Sequence, residues 1–314
     1  MSNLNAPHFQ DPEKARVYLE AQVWPKGRVC PHCGVVGEHY ALNGKTNRAG
    51  LYKCSDCREP FTVTVGTVFE RSKIGLHIWL QAVYLINSSK KGISAKQLER
   101  TLNVTYKTAW FMAHRIREAM SGHGKGLLGS GGAPVEVDET YWGNVGKQAP
   151  GARGWAHKMK VVSLVERNGR KRSFHVANVN ADTLRQILKS QVSDKAHLMT
   201  DEAKVYKKIG KGFAKHSSVN HSAGEYARGD VTTNTVESSF AILKRGLYGT
   251  FHNVSEFHLQ RYANEFDFRW NHRIALGIDD IQRTNAALKG ISGKRLTYRR
   301  TDAQERLIEP LFQH

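Results

Sequence analysis

The chain has few acidic residues, no signal peptide and no long apolar run. Its 28 Asp and Glu are outnumbered by 47 Lys and Arg, which gives a formal net charge of +19 and a sequence pI near 9.8. There is no run of about 18 apolar residues that could span a bilayer, and the polar first 20 residues lack the apolar core of a secretory signal. We therefore expect a cytoplasmic protein with no membrane partner.

The excess of positive charge favours a polyanionic partner, because Lys and Arg pair with phosphates. Nucleic acid is the first candidate, and an ordinary basic surface is the alternative. An anionic membrane is disfavoured, since no lipid-facing amphipathic helix is found. At 314 residues and 40% hydrophobic composition, the chain has room for two or three folded units.

Cysteine is scarce and concentrated in two C-x2-C motifs, CPHCG and KCSDC, separated by 20 residues. This spacing can bring four thiolates to the corners of a tetrahedron, the geometry of structural Zn²⁺. We predict one structural zinc ion in a ribbon within residues 1–65. Two disulfides or a redox pair are the alternative, which a reducing compartment disfavours. The predicted ligands are Cys30, Cys33, Cys54 and Cys57.

Residues 66–122 change to helical periodicity and predict a helix-turn-helix. Ser94 is placed to cap a first helix, Asn103 and Val104 form a turn, and a second helix begins near Thr105. Residues 66–125 contain ten Lys and Arg against three Asp and Glu. An ordinary helical hairpin is the alternative. The candidate DNA contacts on the second helix are Tyr106, Lys107, Thr108 and Arg115.

A glycine-rich linker, residues 121–134, precedes a predicted α/β catalytic domain over residues 133–275. The run VEVDETYW alternates as a strand, and a hairpin turns at Asn168 and Gly169. A helix, the short strand HLMTD and a later helix follow. This is the element order of an RNase H-like fold, although α/β order alone is a weak signal.

Acidic residues stand at the ends of two of these strands and on the late helix. Asp138, Asp201 and Glu237, with Lys244 two helical turns beyond Glu237, have the spacing of a carboxylate triad that holds two Mg²⁺ or Mn²⁺ ions. Asn234 shares a helix face with Glu237 and is predicted to contact DNA or orient a ligand. Any one of these acids could instead be a solvated surface residue.

Glu139 and Glu202 each adjoin a predicted ligand, so either could replace its neighbour in the triad. The aspartates are preferred because their shorter side chains hold a metal closer to the strand backbone.

Several strings give the chain a resemblance to the DDE transposases of bacterial insertion sequences, in particular the zinc-ribbon-containing ISXO-like group. They are CPHCG, KCSDC, EVDETYWG, MTDEAKVY, TNTVESSFAILKRGLYGTFHNVS and HLQRYANEFDFRWNHR, and they span roughly residues 14–273. The resemblance implies that Asp138, Asp201 and Glu237 bind metal, that Lys244 accompanies them, and that the four cysteines bind zinc. Residues 276–314 form a C-terminal extension with no assigned role.

The resemblance also implies a function. A transposase would bind the terminal inverted repeats, cleave the DNA and transfer its ends into target DNA, acting at the nucleoid as a homo-oligomer on double-stranded DNA. A non-catalytic zinc-ribbon and helix-turn-helix regulator is the main alternative, and a nuclease acting on RNA hybrids or junctions is a third.

Overall fold

The computed structural model describes residues 3–37, 39–122, 124, 126–145 and 154–297, which form two compact units. The N-terminal unit comprises the described residues up to Ser121 together with those from Arg273 onward. The sheet unit comprises the described residues within Gly122–His272. None of the described helices combines the length and the hydropathy needed to cross a bilayer.

The α-helices of the described residues occupy both units. In chain order they are α1 (Pro7–Gln10), α2 (Pro12–Val23), α3 (Leu76–Ser88), α4 (Ala95–Leu102), α5 (Tyr106–Ala119), α6 (Ala181–Gln191), α7 (Lys204–Ile209), α8 (Asn234–Gly246), α9 (Glu256–Asn271) and α10 (Asp280–Lys289).

The described strands have two residues each in the N-terminal unit and from two to nine residues in the sheet unit. They are β1 (Tyr40–Ala41), β2 (Tyr52–Lys53), β3 (Pro60–Phe61), β4 (Pro134–Trp142), β5 (Met159–Glu166), β6 (Lys171–Val176), β7 (His197–Thr200), β8 (Lys215–Ser218), β9 (Ala227–Arg228) and β10 (Val231–Thr232).

The N-terminal unit combines the antiparallel ribbon β1-β2-β3 with helices α1 to α5 and α10. The residues after 276, to which the sequence gave no role, include α10, which packs against α2, α3 and α5. Arg283 on α10 donates a 2.8 Å hydrogen bond to the backbone carbonyl of Asn87, and the Tyr18 hydroxyl donates a 2.5 Å hydrogen bond to Asn285. These buried or half-buried contacts make α10 part of the unit's core.

The α4–α5 pair has the capping chemistry that its sequence predicts. The Ser94 hydroxyl accepts a hydrogen bond from the N–H of Gln97, and Asn103 ends α4 in the left-handed conformation with φ of 50°. Thr105 then caps α5 by accepting from the N–H of Thr108. Three residues therefore separate two amphipathic helices that pack on each other.

The sheet unit contains a five-stranded sheet in the order β6-β5-β4-β7-β8. Strands β4, β5 and β6 are an antiparallel meander, whereas β7 and β8 run parallel to β4. The β5–β6 hairpin turns at Asn168, whose φ of 57° is the positive value predicted for such a turn. A π-helical turn, Leu247–Phe251, follows α8 directly.

Both faces of this sheet are covered. Val135 and Val137 point into a core with α6 and α7, to which Leu184, Ile187 and Tyr206 contribute. The opposite face, which carries Glu136, Asp138 and Trp142, packs against α8 and α9. Alternation along β4 therefore places Glu136 and Asp138 on the face covered by α8 and α9, because successive side chains of a strand point to opposite faces.

Candidate functional site

The structure brings Asp138 and Asp201 to neighbouring parallel strands. In the β4–β7 ladder Glu136 lies opposite Met199, and continuing that register by two residues sets Asp201 beside Asp138. Asp201 directly follows the last residue of β7, where it accepts a 3.0 Å hydrogen bond from the N–H of Ala203. The strand end thus fixes one acid relative to the other.

Glu237 lies in the first turn of α8 and is held by two neighbours. The Thr233 hydroxyl donates a 2.7 Å hydrogen bond to its carboxylate, and Nε2 of His221 lies 3.6 Å from the same oxygen. His221 Nε2 is also 3.1 Å from the Thr233 hydroxyl. His221 begins a short 3₁₀ turn sixteen residues before Glu237, and its position in the sequence does not distinguish it from the other histidines of the chain.

Burial and neighbouring negative charges disfavour ionisation of Asp138 and Glu139. Burial is the largest cause that raises the pKa of Asp138 to about 7, and the charges of Glu139, Asp201 and Glu237 add to it, against a hydrogen bond from the N–H of Glu139. The pKa of Glu139 is also raised to about 7, first by burial and then by the charge of Asp201. Accumulated negative charge of this kind is relieved by a bound cation.

The two neighbouring glutamates have structural partners of their own. Glu139 points to the opposite face of β4 from Asp138 and accepts a hydrogen bond from the hydroxyl of Tyr206. Glu202 accepts from the N–H groups of His221 and Ser222, and the Ser222 hydroxyl is the first cause that lowers the pKa of Glu202 to about 2. Glu202 therefore anchors the turn that carries His221.

Glu136, which the sequence only placed on the same face as Asp138, connects β4 to α8. Its fully buried carboxylate accepts hydrogen bonds from the N–H groups of Thr235 and Val236, at 2.8 and 3.0 Å. Arg167 donates to it through Nε and Nη2, at 3.0 and 2.8 Å. The side chain of Thr233 accepts no capping hydrogen bond, whereas the Thr232 hydroxyl accepts a 3.0 Å hydrogen bond from the N–H of Asn234. Glu136 caps the next two N–H groups of α8.

Lys244 and Asn234 lie at opposite ends of α8 from each other. Asn234 is exposed at the first residue of the helix, three residues before Glu237. Lys244 is partly exposed, and its side chain has no ion pair or hydrogen bond within the described part of the chain. The structure places Asp138 beside Asp201 and leaves Lys244 available to a ligand.

The candidate DNA contacts on α5 differ in exposure. Tyr106 is exposed with the Lys96 ammonium 4.9 Å from its ring, Lys107 is exposed, and Thr108 is partly buried. Arg115 is half-buried and donates a 3.2 Å hydrogen bond to the backbone carbonyl of Glu70, and burial lowers its pKa. The first turn of α5 is thus accessible, whereas Arg115 has an internal partner.

The four cysteines lie close enough together to bind one metal ion. Their sulfur atoms are all within 4.8 Å of one another, and the Cys30–Cys57 and Cys33–Cys54 separations are 3.7 and 3.6 Å. Zinc–sulfur bonds of about 2.3 Å in a tetrahedron set sulfurs about 3.8 Å apart, so the donor set fits Zn²⁺. Burial disfavours the Cys54 thiolate, but N–H groups of Asp56 and Cys57 lower its pKa to about 6.

Two parts of the chain match known protein families. Residues 127–271 match the ISXO2-like transposase domain, and residues 10–59 match the transposase zinc-ribbon domain. A protein of Halobacterium salinarum, described as an uncharacterized protein in transposable element ISH50, is 30% identical over 276 residues, which are 82% of this chain and 90% of the relative. The crystal structure of a pre-cleavage Mos1 transpososome aligns at 14% identity over 63% of this chain and 77% of that chain, with a TM-score of 0.21.

Proposed function

Because the chain belongs to the ISXO2-like transposase family, we propose that it binds the inverted-repeat ends of an insertion sequence and catalyses metal-dependent cleavage and transfer of DNA strands. The observation that carries this proposal is the position of Asp138 and Asp201 on neighbouring strands, with Glu237 near enough for its charge to act on Asp138. The sheet order, an antiparallel meander joined to two parallel strands, supports an RNase H-like catalytic domain.

In this mechanism Asp138, Asp201 and Glu237 would hold two Mg²⁺ or Mn²⁺ ions, which would supply activation of the attacking oxygen and stabilisation of the leaving oxygen. Glu136 holds Glu237 toward β4 by fixing the start of α8. Asn234 and Lys244 contact the DNA, and the partly exposed ammonium of Lys244 suits a phosphate.

The N-terminal unit would supply recognition. The exposed first turn of α5, with Tyr106, Lys107 and Thr108, would enter the major groove, and Arg115 would support that helix from its inner side. The zinc ion would hold the ribbon together without taking part in the reaction. Two DNA ends must be held at once during transfer, so the active form would be a homo-oligomer on double-stranded DNA.

Cleavage of a duplex that carries the inverted repeat flanking the coding region tests this function. With Mg²⁺ present, the wild type should cleave at the repeat end, and Asp201→Asn should reduce cleavage by at least about 10³-fold while leaving binding of the repeat largely intact. Asp182→Asn is the matched control, because that side chain is 83% exposed on α6.

A protein that binds the repeat but never cleaves it, with or without Mn²⁺, would be the non-catalytic regulator instead. Full strand-transfer activity in Asp201→Asn would refute the carboxylate mechanism. Preferential cleavage of an RNA–DNA hybrid of the same sequence would identify the nuclease alternative, because the same acids serve that reaction.

A further inference from the structure

An aromatic pair lies at the end of β4, just past Asp138. The rings of Tyr141 and Trp155 have centroids 5.0 Å apart and planes inclined by 34°. Tyr141 is partly exposed and Trp155 is 65% exposed, although burial of an indole is normally favourable. Contiguous exposed apolar surface marks binding sites more often than a single exposed side chain does.

The position of the pair relative to the acids follows from β4. Tyr141 is three residues beyond Asp138 and points to the same face of the strand as Glu139. Burial is the first cause that raises the pKa of Tyr141, and the charges of Glu139, Asp138 and Asp201 raise it further. The tyrosine therefore lies within the electrostatic field of the carboxylate site.

Trp155 is held in place by short-range contacts. It lies in the 3₁₀ turn Gly154–His157, whose last residue accepts a 2.9 Å hydrogen bond from the N–H of Val145, just past the end of β4. The N–H of Lys158 donates to the Trp155 carbonyl at 3.1 Å, and the Lys158 ammonium donates to the Asn144 side chain at 2.9 Å. The backbone of this turn is therefore anchored, and an exposed indole followed three residues later by a lysine suits a ligand that is both planar and anionic.

We propose that the Tyr141–Trp155 pair binds an unpaired DNA base of a nucleotide next to the cleaved phosphate, with Trp155 stacking on the base. The proposal rests on the proposed function, since it assigns the pair to the same DNA end that the acids would cleave. Stacking suits this role because every base has an aromatic face, and a base held out of the duplex exposes its phosphate to the acids. Lys158 would pair with the adjoining phosphate.

The test pairs a protein change with a DNA change. Cleavage by the wild type and by Trp155→Ala is measured on duplexes carrying the inverted repeat, either intact or with one abasic nucleotide placed in turn on each side of the cleaved phosphate. Trp155→Ala should lower kcat/KM on the intact duplex by about 5- to 150-fold, the range found for loss of one base–aromatic stack. Trp155→Phe should retain most of the activity.

On the duplex that lacks the stacked base, wild type and Trp155→Ala should cleave at nearly the same rate, because each has already lost the contact. Phe257→Ala, which removes another exposed ring, 56% exposed on α9, should match the wild type on every duplex. Thermal unfolding of each variant checks that its fold is retained.

The proposal is overturned if Trp155→Ala cleaves the intact duplex as the wild type does. It is equally overturned if the variant's loss is the same on every abasic duplex, since the indole would then act on the protein alone. Absence of metal-dependent cleavage by the wild type would instead refute the proposed function, so the two failures are distinguishable.

Discussion

Glu136 and Asp138 are two residues apart on the same face of β4, yet their surroundings differ. Glu136 is fully buried and accepts hydrogen bonds from Arg167 and from two N–H groups of α8. Asp138 is partly buried, and three other carboxylates act on it. Glu136 is neutralised by fixed partners, whereas Asp138 has no ion pair within the described part of the chain. This difference separates an acid that holds the fold from one suited to a ligand.

We predict that Glu136→Ala lowers the free energy of unfolding of the sheet unit by about 3–5 kcal/mol, because it leaves Arg167 without its buried carboxylate. Urea denaturation followed by circular dichroism measures the loss. Asp182→Ala, at an exposed acid of the same unit, should change that free energy by no more than about 0.5 kcal/mol. Equal stability of the two variants would show that Glu136 is not needed to dock α8.

The raised pKa of Asp138 predicts a pH dependence of stability. A carboxyl whose folded pKa is about 7, above its ordinary value of 3.8, stabilises the fold fully below pH 3.8 and loses that contribution as the pH rises through 7. Without added Mg²⁺, the urea midpoint of the wild type should therefore fall between pH 5 and pH 8, and Glu139, whose pKa is also raised to about 7, should add to the fall. Adding Mg²⁺ at pH 8 should restore it, since the ion binds the ionised acids.

Asp138→Asn is the comparison for this pH experiment, because asparagine keeps the shape and does not titrate. It should show a smaller fall over the same pH range and little response to Mg²⁺. A pH dependence identical to that of the wild type would assign the effect to other groups.

At the scale of the element, the ribbon is too small to be stable on apolar burial. Its three strands have two residues each, and its core is Tyr52 and Phe61 with Cys30 and Cys54. Little apolar area is buried there, so cross-linking through a metal must supply much of the stability. Helices α4 and α5 differ in this respect, since side-chain caps and apolar faces hold them.

We predict that the purified protein contains about one zinc ion per chain and that Cys54→Ser loses most of it. Atomic emission measures the zinc content, and protease digestion should show the ribbon cleaved in the variant before the sheet unit. His32→Ala is the control, because His32 lies inside a C-x2-C motif but is exposed and outside the cysteine cluster. Loss of zinc in both variants would contradict a four-cysteine site.

At the scale of the whole molecule, the net charge of +19 attracts any long polyanion. Such a charge attracts DNA of every sequence, and the attraction weakens as salt releases the counterions. Recognition of one repeat must therefore come from particular side chains, and the exposed first turn of α5 is where we expect them.

The dependence of DNA binding on salt concentration tests whether the first turn of α5, and not Arg115, contacts the DNA. Lys107→Ala should weaken binding and reduce the slope of log affinity against log salt by about 1, because an exposed phosphate contact is lost. Arg115→Ala should instead leave the slope nearly unchanged and lower the thermal stability of the N-terminal unit, since Arg115 bonds to Glu70. Equal changes in slope for both variants would place Arg115 on the DNA.

Much of the local structure could be predicted from the sequence. Hydrophobic alternation predicted β4, the turn at Asn168 predicted the β5–β6 hairpin, and Ser94 predicted the start of α4. These features depend on residues close together in the chain, where steric and hydrogen-bonding preferences act directly. The family resemblance is confirmed, and the site residues it implies stay predictions.

The sequence by itself determined the cysteine motifs, the charge and which acids are candidates, because residue type and spacing along the chain carry that information. Only the tertiary structure decided that Glu136 caps α8, that His221 lies beside Glu237, and that α10 joins the N-terminal unit. Glu136 and Val236 are 100 residues apart in the chain. Their contact depends on how α8 packs on the sheet, and no local sequence pattern encodes that packing.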